Sequence, residues 1–182
     1  MKLESERLAL EPLSAKHARS LYAGLRDPAL CRFIPQDPPR KLQELRKNFH
    51  RRARGAPDHR NEIWLNWALR LRSEGSYIGR VEATVYPRDK KAEIAYLLLR
   101  KYWAQGYALE ACARVIECLS NRLKLQSILA TMDSRNRHSI RLARRLGFRR
   151  QAFRQNADFF KGRSSNEYIY ELQPSSAKGQ RS

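Results

Sequence analysis

The spacing of apolar residues changes several times along this chain, and each change marks a boundary. Ile94, Ala95, Tyr96, Leu97, Leu98 and Leu99 form an apolar run with charge on both sides, which predicts a strand buried on both faces. Beyond Trp103 the period becomes helical: Ala108, Ala111, Cys112, Val115 and Leu119 make one stripe of an amphipathic helix. The switch falls at Ala104-Gln105-Gly106-Tyr107-Ala108. The first amides of a helix have no intrahelical acceptor and carry the positive end of its dipole, so an anion placed there meets aimed donors. Gly106 and Ala108 leave room for its approach, although a tight strand–helix junction without a ligand fits the same residues.

Upstream, residues 6–13 alternate like a first strand with Leu8, Leu10 and Leu13 inward and Pro12 near its end. Ser14 reads as the N-cap of a helix lined by Ala18, Leu21, Tyr22 and Leu25, which Asp27-Pro28 terminates. Residues 33–40 are proline-rich and predict a loop. Leu42, Leu45, Phe49 and Ala53 predict a second amphipathic helix, whose other face carries Arg46, Lys47, Arg51, Arg52 and Arg54 for solvent or an anion. Ile63–Leu71 and Tyr77–Tyr86 read as strands joined by a Ser73-Glu74-Gly75-Ser76 turn, and another turn at 87–90 leads into the central strand. Residues 126–132 read as a strand parallel to 92–99, because a helical crossover joins them. A helix from Asn136 to a left-handed cap at Gly147 follows, then strands over 148–156 and 166–172 with a turn at Lys161-Gly162.

Length and charge then narrow the picture. A chain of 182 residues with 42% hydrophobic content fits a single domain, assigned to 1–172 with a flexible tail at 173–182. No apolar run approaches the ~20 residues a membrane helix needs, and the first residues lack a signal peptide's apolar core, so a cytoplasmic protein without membrane contact is expected. Cys31, Cys112 and Cys118 lack metal-ligand spacing, the latter two expected on different helix faces, and His17, His50 and His59 show no metal pattern. The net charge of +19 favours anionic partners, but its arginines and lysines are spread from Arg7 to Arg181.

A resemblance rests on two blocks. WAQGYA is similar to the GCN5-related N-acetyltransferase pyrophosphate signature [Q/R]-x-x-G-x-[G/A], with Gly106 and Ala108 matching and Trp103 in place of Gln or Arg. Residues 136–148 resemble the family's N-x-x-S-x-R-x-x-x-x-x-G-F motif through Asn136, Ser139, Arg141, Gly147 and Phe148. The wording around Trp103 resembles the RimJ/RimL branch of ribosomal-protein alanine acetyltransferases. The resemblance implies an α/β (α+β) fold: a mixed, mostly antiparallel sheet of six to seven strands, helices on both faces, and a splayed central parallel pair with a bulge. It implies acetyl-CoA as substrate, with pantetheine beside Leu97, Leu98 and Leu99, pyrophosphate on the amides of Gln105, Gly106, Tyr107 and Ala108, Asn136 on the pantetheine amide and Arg141 as a cofactor-side cation. It also places Phe33, Ile34 and Pro35 beside the acceptor, although a structural loop packing Phe33 into the core fits the same residues.

Acetyl transfer to an amine needs a neutral nucleophile, a polarised carbonyl and a proton for the departing thiolate. Ser139 is the candidate thiolate donor, since Ala143 occupies the position where many relatives carry a Tyr; a serine bonded to its helix backbone is the alternative. Glu82, in mid-strand between Val81 and Ala83, is the favoured base, with Glu93 acting through water as the other; a salt bridge to an arginine is the structural alternative for each. The acceptor is a primary amine on a protein N-terminus or a small molecule, a ribosome or another anion is a further partner, and the chain is a monomer or homodimer. Two other functions fit: a basic nucleic-acid or ribosome-binding module, and a CoA-binding protein without turnover.

Overall fold

A computed structural model describes residues 1–57 and 59–174; the expected tail lies mostly outside them. Eight strands form one sheet: β1 Leu3–Glu4, β2 Leu8–Pro12, β3 Ile63–Leu71, β4 Tyr77–Tyr86, β5 Lys91–Leu98, β6 Ser127–Asp133, β7 Arg149–Phe160 and β8 Arg163–Leu172. Their spatial order is β1-β2-β3-β4-β5-β6-β8-β7, and only β5 and β6 are parallel neighbours. The two-residue β1 takes the count beyond seven. The helices are α1 His17–Leu25, α2 Leu42–Arg54, α3 Tyr107–Leu123 and α4 Arg137–Arg145.

Side-chain alternation assigns the helices to faces. Glu82 on β4 lies opposite Ala95 on β5 and meets Arg52 of α2, while the next residue, Tyr96, points the other way and meets Ser139 of α4. Thus α1 and α2 cover one face, α3 and α4 the other. On the α3 face Leu8, Leu10, Leu69, Val81, Ala92 and Ile94 pack with Ala111, Cys112, Val115 and Leu119 in the main core. That face is apolar from β1 to β6, which is why the central strands carry so much Val, Ile and Leu.

Several local expectations change. Ser14 is not an N-cap: the carbonyls of Ser14 and Ala15 bond the amides of His17 and Ala18 in a turn, so α1 begins later, and the Ser14 amide itself donates to His17 Nδ1 at 2.9 Å. Ala53 is exposed, whereas Arg52 turns inward. The strand at 94–99 is not buried on both faces, since Ala95 is exposed and Tyr96 and Leu97 only half-buried. Cys112 and Cys118 are both buried on the core side of α3 rather than on different faces. The loop at 33–40, the β3–β4 hairpin and the left-handed Gly147 and Lys161-Gly162 turns stand as expected.

Candidate functional site

The site grows from the way β5 and β6 part. They pair only over residues 91–93 and 127–129; β5 then continues along β4 to Leu98 while β6 follows β8. The opening comes from this divergence and not from a bulge, because the β4–β5 register runs unbroken from Gly79↔Leu98 to Tyr86↔Lys91. Leu99 N–H donates to Ile78 O, so by the alternation of an antiparallel ladder Leu97 and Leu99 direct their backbone groups at β4. Tyr96 and Leu98 are the residues whose backbone faces the opening. Of the three leucines expected to line pantetheine, only Leu98 therefore offers a backbone donor there, and its carbonyl already accepts from Trp103 Nε1 at 2.8 Å. That bond ties the turn to the strand end.

Beyond this turn Gly106 sits at φ 85°, a left-handed conformation that favours glycine. The amides of Gln105, Gly106, Tyr107 and Ala108 have no acceptor among the described residues; the first amide of the helix to be satisfied from this turn is that of Glu110, on Gly106 O at 3.1 Å. A Cβ on Gly106 would lie 3.2 Å from Arg7 Nη2. Arg7 Nε donates to Glu110 Oε2 at 2.7 Å, its Nη1 to Gln105 O at 3.1 Å, and its guanidinium lies 4.4 Å from the Tyr107 ring centre. A cation thus stands beside the free amides. Arg7 gave no local sequence signal, since its partner Glu110 is far along the chain.

Across the opening, Asn136 caps α4: its Oδ1 accepts from Ser139 N at 3.1 Å. The cap is held from below. Asn136 N–H donates to Asp133 O at 2.9 Å, and the buried Asp133 carboxylate accepts from Arg135 N at 2.7 Å and Ser165 Oγ at 2.8 Å. Burial alone would raise the Asp133 pKa, but bonds from the Arg135 side chain and amide and from Ser165 outweigh it and hold the carboxyl at about 2. Ser139 Oγ lies 3.0 Å from Tyr96 Oη. Burial, opposed in part by the Ser139 hydrogen bond, pushes the Tyr96 hydroxyl up to about 12, so it stays protonated at neutral pH. Sequence reasoning counted Tyr96 only as an apolar strand residue. Arg141 is exposed on the outer face of α4, and Ala143 is buried.

On the opposite face Glu82 is ion-paired with both Arg52 and Arg80. It borders a cleft of about 270 Å³ lined by Arg51, Arg60, Trp64, Asn66 and Tyr86 among others. Glu93 is half-buried at the last β5–β6 pair, where the strands part, and has no ion-pair partner among the described residues. The β7–β8 tip reaches over the proline-rich loop, where Lys161 Nζ donates to Ile34 O at 2.7 Å and Gln36 O at 3.1 Å.

A parallel pair that diverges above a left-handed turn and a helix N-terminus defines the class, and comparison identifies it. The acetyltransferase (GNAT) domain model matches residues 7–149, and the chain belongs to this family of acyltransferases. Its sequence is 20% identical over 171 residues to the uncharacterized N-acetyltransferase YoaA of Bacillus subtilis, covering 93% of this chain and 95% of that one. In fold it resembles a GNAT-family acetyltransferase from Bacillus anthracis, with TM-score 0.83, 21% identity and coverage of 96% and 99%. It also resembles RimL, the ribosomal L7/L12 alpha-N-protein acetyltransferase in complex with coenzyme A, with TM-score 0.81, 18% identity and coverage of 95% and 98%. Among the described residues no helix is long and apolar enough to cross a membrane.

Proposed function

We propose that this protein transfers an acetyl group from acetyl-CoA to a primary amine by direct attack within a ternary complex. The observation that carries the reading is the opening between β5 and β6, set against four amides at residues 105–108 that have no acceptor among the described residues. Acetyl-CoA supplies the activated thioester; the chain supplies everything else. The amides of Gln105, Gly106, Tyr107 and Ala108 hold the diphosphate, and the backbone of Leu98 and the Asn136 amide hold the arm. Tyr96 and Ser139, hydrogen-bonded to each other, face the departing thiolate as hydrogen-bond donors: a hydroxyl that keeps its proton stabilises the leaving sulfur, Ser139 orients it, and the proton the thiolate finally takes is the one the amine gives up, relayed by water.

The acceptor approaches from the α1–α2 face, where Glu82 and Glu93 lie. Glu82 is committed to two guanidiniums and shapes the cleft. Glu93, at the point of parting and without an ion-pair partner among the described residues, is the carboxylate that takes the amine's proton through water. Protein N-termini head the acceptor list because RimL, of like fold, is an alpha-N-protein acetyltransferase.

The test is a thiol-release screen over peptides with free N-termini and small amines, joined to calorimetry with acetyl-CoA. Gly106→Glu puts a carboxylate among the amides and should abolish binding. Tyr96→Phe and Glu93→Gln should each lower kcat by about 10²-fold or more while leaving the acetyl-CoA Kd within threefold, the scale of a lost donor to developing charge for the first and of a lost proton acceptor for the second. An unchanged titration for the Gly106 variant refutes the binding site. Wild-type turnover in the other two refutes the chemical roles.

A further inference from the structure

The family reading leaves one part of the molecule unexplained. From 134 to 157 the chain contains no Asp, Glu or Lys, yet it carries Arg135, Arg137, Arg141, Arg144, Arg145, Arg149, Arg150 and Arg154. It is the longest acid-free run in the sequence. Arg135 is spent on Asp133, but none of the other seven has a carboxylate within 4.0 Å among the described residues, and all seven are exposed. By contrast Arg7, Arg52, Arg70 and Arg80 are all ion-paired.

Their placement is ordered. In α4, Arg137, Arg141, Arg144 and Arg145 fall within about 100° of one another at helical spacing, opposite the face that packs Ile140, Leu142, Ala143 and Leu146 on the core. Gly147, at φ 87°, turns the chain directly into β7. There Arg150 lies 5.1 Å from the Tyr168 ring centre, and the Phe153 ring, 51% exposed, lies 5.4 Å from Tyr168. Tyr168 pairs with Met132, on the side of the sheet that α4 covers, so the helical arginines and the Arg150–Phe153 pair lie on the same side.

We propose that the outer face of α4 and the adjoining side of β7 bind RNA, with the arginines on phosphates and Phe153 as a stacking ring. Five of these guanidiniums, those of Arg137, Arg141, Arg144, Arg145 and Arg150, share this side, repel one another and are relieved by a polyanion, whereas Arg149 and Arg154 lie opposite Glu171 and Glu167 on the other side of β7. Arginine to the exclusion of lysine suits bidentate phosphate contacts, and an exposed aromatic among them suits an unpaired base. An anionic membrane is the weaker match, because α4 has turned its apolar residues inward and has none to insert. Guarding the free edge of β7 against strand pairing accounts for charge on that strand but not for the stripe on α4.

The test uses the full chain and a fluorescein-labelled 20-nucleotide oligouridylate, read by anisotropy between 50 and 200 mM KCl. Four phosphate contacts on a single strand predict a roughly 50-fold weakening over that range. Arg144→Glu, Arg145→Glu and Arg150→Glu together should weaken binding at least tenfold at 50 mM, the corresponding Gln triple should lose less, and Phe153→Ala should also weaken it. The triple Arg46→Glu, Arg51→Glu, Arg54→Glu on α2 should bind as wild type. The proposal is overturned by no binding at 50 mM, by equal loss in the α2 variant, or by unaffected binding in both α4–β7 triples. It is equally overturned if vesicles of phosphatidylcholine and phosphatidylglycerol bind through the same arginines and RNA does not. Acetyl-CoA affinity plays no part in the readout, so failure here leaves the transferase reading untouched.

Discussion

Asp133 ties the end of β6 to the cap of α4, and replacing it with Asn measures what that tie contributes. The substitution keeps the shape and an acceptor for the Arg135 amide but removes the charge that the Arg135 guanidinium and Ser165 hydroxyl address. The carboxyl is held at about 2 against an ordinary 3.8. At about 1.4 kcal/mol per pKa unit this corresponds to roughly 2 kcal/mol of stability at neutral pH. A depressed folded pKa gives stability that is present above the unfolded value and lost as pH falls through the folded one. The wild-type advantage should therefore be full at pH 7 and shrink between about pH 4 and pH 2. Urea unfolding followed by circular dichroism at several pH values gives the difference directly; at pH 7 the melting temperature should drop by roughly 4–8 °C, the scale for a chain of this length. A gap below about 0.5 kcal/mol at pH 7, or one of constant size down to pH 2.5, refutes the argument. Because the same turn places Asn136, acetyl-CoA should also bind the variant more weakly.

Two further outcomes follow from the geometry. Lys161→Ala unpins the β7–β8 tip from the loop carrying Ile34 and Gln36; acceptor KM should rise several-fold in steady-state assays while acetyl-CoA Kd stays within twofold and stability shifts by less than about 1 kcal/mol. Burial pushes the Cys112 thiol up to about 12 and raises that of Cys31, so native protein at pH 8 should take up almost no iodoacetamide by mass spectrometry, whereas denatured protein labels at all three cysteines. Trapping of an acetyl-cysteine on any of them would instead show a covalent route.

Much of this molecule was legible as pattern. Strand and helix periods located the β3–β4 hairpin, the β5 to α3 switch and the Gly147 cap, because each is set by residues adjacent in sequence. The turn ahead of α3 was readable for the same reason, Gly106 being local to it. What escaped depends on contacts between distant residues. Tyr96 belongs to an apolar run, and only its meeting with Ser139 across the parting strands marks it as a polar participant. Arg7 matters because the first long strand passes Glu110 and Gln105. Arg52 looked solvated on a helical wheel until Glu82 drew it inward. Ser14 was misread because its amide is engaged by His17, a competition that composition does not reveal.

The brevity of the β5–β6 contact bears on how the protein responds to what it binds. Within the sheet, two ribbons, β1 to β5 and β6-β8-β7, meet along a seam only three residue pairs long. A molecule bonded to both sides of the parting lengthens that seam like a clasp, adding cross-ties where the chain itself has few. Ligation should then raise resistance to heat in proportion to the logarithm of ligand concentration, by about 2.7 kcal/mol at a hundred times Kd. The amides that become slow to exchange should include those of Tyr96 and Leu98, so that substrate serves as the missing stitch of its own binding site.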